Sequence, residues 1–161
     1  GGYCNGEIPE DYDLWLRLGA NGMRIANVPH DVVSIRDHSN RLTRTDPRYS
    51  RPAFNQCRRN FLQATVLTEP RRVVLWAGLR GGRPWLRWLQ SGGHQIIAII
   101  DITKKTIRSS VPVLPPAALL DLDLDILLVA VGARGARDRI RKELEILRPD
   151  LVEGQNWWAL L

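Results

Sequence analysis

Cysteine is scarce: Cys4 and Cys57 are the only two in 161 residues. They have neither the spacing of a metal knuckle nor that of a disulfide framework, which excludes a small stapled scaffold and fits a reducing compartment with two incidental thiols. Long hydrophobic runs are missing too. The longest, Gln95 to Ile100 and Ile126 to Val131, fall far short of the about 20 residues that span a bilayer, so no transmembrane helix is expected. No charged-then-apolar leader opens the chain, which starts Gly1-Gly2-Tyr3 without an initiating Met. Such a start is expected of a truncated reading frame with more sequence upstream. There is no internal repeat and no low-complexity stretch. With 44% apolar and 25% charged residues, the composition lies outside the disordered regime and a packed core is expected. The length suits one ordinary domain, or a small domain joined to a fragment.

The net charge is +6, carried mostly by arginine. Arg36, Arg41, Arg44, Arg48, Arg51, Arg58 and Arg59 crowd into one stretch. They can draw phosphates of nucleotide-sugars or anionic lipid, or form a solvated face. Nucleic acid is not expected as a partner, because no interleaved aromatics or nucleic-acid motif accompany the run.

The chain changes character once, at Thr68-Glu69-Pro70, which reads as a linker between a segment at 1–67 and a domain at 71–161. Before it, Pro9 suits a first helical turn, Glu10 and Asp11 complement the positive helix end, and Asn21-Gly22 is a stop signal. A helix over Pro9 to Ala20 is expected, with Leu14, Leu18 and Trp15 facing inward. Met23 to Val28 and Val32 to Arg36 read as strands around a turn at Pro29. Asn40 to Pro52 reads as a basic loop, and Ala53 to Leu67 as a helix in which Phe54, Cys57 and Phe61 recur at helical spacing.

After the linker, strand and helix signals alternate. Strands are expected at Arg72 to Trp76, Gln95 to Ile100, near Val111 to Val113, at Asp125 to Val131 and at Asn156 to Leu160. Helices are expected at Gly82 to Gln90, Pro115 to Leu120 and Arg134 to Leu147. Uninterrupted apolar strands such as Ile96-Ile97-Ala98-Ile99-Ile100 imply burial on both faces, hence a small, doubly wound parallel sheet covered by helices.

The string Ile8-Pro9-Glu10-Asp11-Tyr12-Asp13-Leu14-Trp15-Leu16-Arg17 resembles the motif that closes the catalytic domain of many family 2 glycosyltransferases. Ser34-Ile35-Arg36-Asp37-His38 and Arg41-Leu42-Thr43-Arg44-Thr45-Asp46-Pro47-Arg48-Tyr49 resemble the stretch that follows it in one bacterial subgroup. The likeness covers about residues 1–50, and the arrangement with a Rossmann-like tail resembles that subgroup as well. It implies an α/β chain: the truncated end of a GT-A-type transferase, then a small Rossmann-like domain. It also implies sugar transfer, with inversion, from a nucleotide-sugar to a saccharide or lipid-linked acceptor in cell-surface polysaccharide assembly. The setting would be the cytoplasm, with room for peripheral association at the inner face of the membrane.

The resemblance places the general base on Asp11. The chemistry suits a carboxylate, since an acceptor hydroxyl is a poor nucleophile until its proton is taken during attack on the anomeric carbon. Simple N-terminal capping is the plainer alternative for Asp11, and Glu10 is expected to orient the loop or an acceptor hydroxyl. Asp13 and Arg17 are spaced to pair along the helix. Trp15 suits either core or a sugar-stacking platform. His38 matches a histidine that in related enzymes lies near the donor diphosphate and its metal, or is an ordinary loop histidine. Arg36 suits either diphosphate or surface pairing. The divalent cation, Mg or Mn, belongs to the complete enzyme. The nucleotide-binding first half with its metal-binding Asp-x-Asp is not in this chain, so the chain alone is expected to be inactive.

In the tail, Val73 to Trp76 run into Ala77-Gly78-Leu79-Arg80-Gly81-Gly82, where a dinucleotide fold carries Gly-x-Gly-x-x-Gly. With Gly82 as the third glycine, Ala77 and Leu79 occupy the first two positions, a departure where backbone must approach pyrophosphate. Asp101 ends the second strand about 20 residues on, where an acidic residue binds ribose hydroxyls. A nucleotide or NAD held by Gly78, Gly81, Gly82 and Asp101 is one reading. A plain strand-to-helix turn, with Asp101 capping the next turn, is the other. A nucleotide-binding module without catalysis is therefore the alternative function.

Overall fold

The computed structural model describes residues 2–103 and 110–160. The chain divides into two units, Gly1–Thr68 and Glu69–Leu161.

In the first unit, helix α1 spans Glu10–Ala20. Glu10, Asp11 and Asp13 stand in its first turn and Arg17 in its last, each sign complementing the nearer end of the helix dipole. Arg17 Nε donates to Asp13 at 2.9 Å, the expected one-turn pair. Asn21 Nδ2 donates to the Arg17 carbonyl at 2.7 Å, and Gly22 then turns the chain at φ 73°. A short helix α2, Leu42–Thr45, and a 3-10 turn at Pro47–Tyr49 lead into α3, Arg51–Thr65, which Ser50 caps through its hydroxyl. Helices α1 and α3 pack through Tyr12 and Phe54, edge to face at 5.1 Å, and Arg58 Nε donates to the Tyr12 hydroxyl at 2.9 Å.

Three expectations for this unit need correction. Met23–Val28 and Val32–Arg36 are not strands: residues 23–28 and 31–38 have no regular structure, and every residue from 21 to 40 is exposed. The apolar residues of both segments stand in solvent, with Ile25 63% and Val32 73% exposed. A strand, however, needs a neighbour for its amides and carbonyls, and a lone pair of strands is marginal in water. The loop expected over Asn40 to Pro52 contains α2 and the 3-10 turn, because Asp46 accepts the Arg48 amide at 2.9 Å and caps the turn. Trp15 does not face inward and is 53% exposed.

The second unit is α/β, a five-stranded, wholly parallel sheet consistent with a Rossmann-like fold. Its strands are β1 (Arg72–Trp76), β2 (Gln95–Ile100), β3 (Val113–Leu114), β4 (Ile126–Val129) and β5 (Trp157–Ala159), in the order β3-β2-β1-β4-β5. The order reverses between β1 and β4, the switch point of such a sheet.

Helices cover both faces. Trp85, Leu86 and Leu89 of α4, Leu79–Ser91, are buried on the side of Leu75 and Ala77. Ile140 and Leu144 of α5, Ala136–Leu147, pack on the other side with Val74, Trp76, Ile100 and Val129. Gly82 brings α4 close to the end of β1: a Cβ there would stand 2.8 Å from that of Ala77. At the amino end of the sheet, Asp125 takes the Arg72 amide at 2.7 Å and its guanidinium at 2.7 Å, and Asp123 takes the guanidinium as well.

Element ends shift for local reasons. The helix expected at Pro115 to Leu120 is a 3-10 helix at Pro116–Asp121, since two successive prolines lack amides and Ala118 N bonds back to Pro115 O. Strand β3 starts after Pro112, which offers only its carbonyl, to Ile99 N. Helix α5 begins after Gly135, whose φ of 72° is left-handed.

Candidate functional site

Two places bring candidate residues together, one in each unit.

In the first unit, Glu10 and Asp11 open α1. Their roles diverge. The Tyr49 hydroxyl donates to both Glu10 oxygens, at 2.9 and 3.1 Å. The Glu10 carboxyl lies below its usual range, chiefly through a bond from its own backbone amide and then through Tyr49, while the Glu10 bond raises the Tyr49 phenol. Asp11 accepts the Tyr12 amide through Oδ1 at 2.7 Å and is partly exposed; its Oδ2 has no hydrogen-bond partner among the described residues. A wide, open depression of about 640 Å³ is lined by residues including Glu7, Asp46, Arg48, Pro52 and Gln56; neither Glu10 nor Tyr49 lines it. Asp11 is not among its lining residues.

Arg36 and His38 lie on the exposed, irregular segment, and no contact joins them to Asp11 among the described residues. Between them Asp37 is taken by Arg44 at 2.8 Å and by Arg41 at 3.4 Å. Arg48 pairs with Asp46 at 2.7 Å, and Arg58 bonds Tyr12 and Asn55, so much of the basic run is engaged within its own unit. Among the described residues no set of three His, Cys, Asp or Glu side chains could hold a metal, and His38 stands without co-ligands. The aspartates at 121, 123 and 125 carry Asp-x-Asp spacing, but Asp123 and Asp125 are consumed by Arg72.

In the second unit, a cavity of about 320 Å³ opens at the carboxyl ends of β1, β2 and β4, at the switch point. Its lining includes Trp76, Gly78, Ile100, Asp101, Thr103 and Ile140, a mainly apolar wall with one buried carboxylate. Asp101 is 4% exposed. Its Oδ1 accepts the Thr103 amide and the Thr103 hydroxyl, both at 2.9 Å, which is the turn cap. Its Oδ2 is buried without a hydrogen-bond partner among the described residues.

The glycines divide their tasks. Gly78 caps α4 and lines the cavity. Gly81 and Gly82 do not line it: a Cβ at Gly81 would meet the Ala130 carbonyl at 3.4 Å, and Gly82 serves the contact with Ala77. Sequence reasoning missed the α5 side of the cavity, where Arg139, Ile140 and Glu143 stand. The available signal was the strand order, because the helix after β4 flanks the switch point.

No helix among the described residues is long and apolar enough to cross a membrane. No family model, no curated protein and no solved structure matches the chain.

Proposed function

We propose that the first unit is the closing part of the catalytic domain of an inverting, family 2-type glycosyltransferase of GT-A fold, with Asp11 as general base. The observation that carries this reading is the Glu10–Tyr49 hydrogen bond. It ties the acidic pair to the end of the separate block Arg41 to Tyr49, so two stretches that resemble the family meet in space. Glu10 is then the positioning residue, held by Tyr49. Asp11 keeps one oxygen on the Tyr12 amide and has the other available to take a proton from an acceptor hydroxyl. The chain's own residues supply the proton acceptor and its orientation. On this reading the donor nucleotide and the divalent cation are held by a nucleotide-binding half, with Arg36 and His38 contributing to the diphosphate.

The donor is a nucleotide-sugar, the acceptor a saccharide or lipid-linked acceptor, and the setting the cytoplasm, with room for peripheral association at the inner face of the membrane. The test is sugar transfer by this chain joined to a nucleotide-binding half. Turnover that depends on Asp11 is expected, and none from the chain alone. Transfer by the chain alone would refute it.

Asp101, a buried carboxylate that ends β2 and lines the switch-point cavity, favours a second reading for the tail, a nucleotide-binding module without catalysis. Titration with NAD and nucleotide-sugars tests it, since a ligand that binds only the folded state raises the melting temperature.

A further inference from the structure

Trp15 is not part of the core: it stands 53% exposed on α1. Tryptophan is highly buried on average, so a ring left in solvent calls for a reason. No hydrogen bond, stacked ring or cation engages Trp15 among the described residues. On the same helix Tyr12 packs on Phe54 and takes a bond from Arg58.

The chemistry beside Trp15 is mixed. Asp11 lies four residues earlier on α1, so the two side chains share a helix face, roughly 6 Å apart along the axis. Helical side chains lean towards the amino end, which carries the indole over the turn that holds Asp11. Asp11 keeps one carboxylate oxygen on the Tyr12 amide and has no hydrogen-bond partner for the other among the described residues. One turn beyond Trp15 stands Gly19, where an added Cβ would meet nothing within 4 Å, so the helix puts no side chain over the ring from that end.

An apolar plane next to a free carboxylate suits a pyranose. One face of that ring presents C–H groups, which pack on an aromatic plane, and its rim presents hydroxyls, which donate to a carboxylate. A phosphate would be repelled by Asp11, and a bare lipid chain has no hydroxyl to give it.

We propose that Trp15 is the platform for the acceptor sugar, a pyranose that stacks its C–H face on the exposed indole and turns a hydroxyl to the free oxygen of Asp11. The inference rests on the glycosyltransferase reading and narrows its acceptor to one that ends in a pyranose. Trp15 then helps to select the acceptor, because a molecule without a ring face gains nothing from the indole.

The experiment is saturation-transfer NMR of the full chain with the methyl glycosides of glucose, galactose and mannose, and with sorbitol, which has the hydroxyls but no ring. Alongside it run Trp15→Leu, Trp15→Tyr and Asp11→Ala, whose melting temperatures verify that they fold. The expected result is millimolar binding of at least one glycoside, with saturation concentrated on the protons of one ring face. Trp15→Leu should weaken it about threefold to tenfold, and Trp15→Tyr, which restores an aromatic plane, should recover most of the affinity. Asp11→Ala should weaken it about threefold or more. Binding undiminished in Trp15→Leu, sorbitol bound as well as the glycosides, or no saturation by any glycoside in the millimolar range overturns the proposal, and indifference to Asp11→Ala overturns the assigned contact. The glycosyltransferase reading fails separately, in the transfer assay: turnover that survives Asp11→Asn refutes the base, whatever the glycosides do at Trp15.

Discussion

Tyr49 donates its hydroxyl to both carboxylate oxygens of Glu10, at 2.9 and 3.1 Å, across 39 residues of chain. Neither residue is fully buried, so the bond orients more than it stabilises. It holds the first turn of α1 against the 3-10 turn at Pro47–Tyr49 and leaves the neighbouring Asp11 carboxylate with one uncommitted oxygen.

Tyr49→Phe removes one of the bonds that lower Glu10. The Glu10 carboxyl should titrate closer to its ordinary value of 4.5, read by carboxyl-carbon NMR. Because the folded value is depressed, the pair's contribution is present above the unfolded value and lost as pH falls through the folded one. The variant should flatten that acid limb. An unchanged Glu10 titration would mean that the bond does not form in solution.

Gly82→Ala forces a Cβ to within 2.8 Å of the Ala77 Cβ. It should destabilise the second unit by about 1–3 kcal/mol, as overpacking does. Ala77→Gly in the same chain should recover part of the loss. Urea unfolding followed by tryptophan fluorescence reads both, since Trp85 and Trp157 are buried in that unit. Strict additivity of the two substitutions would show that the contact is not the cause.

His94 is buried, its Nδ1 accepts the Arg71 amide at 3.2 Å, and burial lowers its pKa. Protonation would charge a buried ring and abolish the acceptor. With the folded value below the unfolded one of 6.5, its contribution is complete above that pH and lost as pH falls through the folded value. The urea midpoint of the second unit should therefore fall between about pH 7.5 and 5.5. His94→Gln, which keeps an acceptor, should flatten this slope; an equal slope in the variant would assign the effect elsewhere.

Arg148 donates through Nη1 to the carbonyls of Leu119 and Leu122, at 2.9 and 3.0 Å, and through Nη2 to Asp150 at 2.7 Å. It ties the end of α5 to the 3-10 helix. Arg148→Met keeps the stem and strands the carbonyls, so about 1–3 kcal/mol of stability should be lost. No change in the urea midpoint would show that water replaces the guanidinium.

The second unit was largely legible because its signals were redundant. Buried parallel strands such as Ile96 to Ile100 are apolar on both faces, and β1 and β2 fall at the expected residues. Residues 23–36 were misread for the opposite reason. Met23 and Ile25 would share one strand face, but such spacing does not reveal whether a pairing partner is present. For the sites, sequence spacing put Asp101 at the end of β2, yet it could not show that one of its oxygens is capped and the other unpaired. Arg139, Ile140 and Glu143 escaped notice because helical spacing marks them only as one turn of a cover helix, and their place at the cavity follows from the reversal of strand order.

The most direct test of the account is steady-state sugar transfer by this chain completed with a nucleotide-binding half, comparing Asp11 with Asp11→Asn. General-base loss predicts that kcat falls by about 10²–10⁴ while the donor dissociation constant is unchanged. Turnover that survives, or donor affinity that falls in step with turnover, would contradict Asp11 as the base.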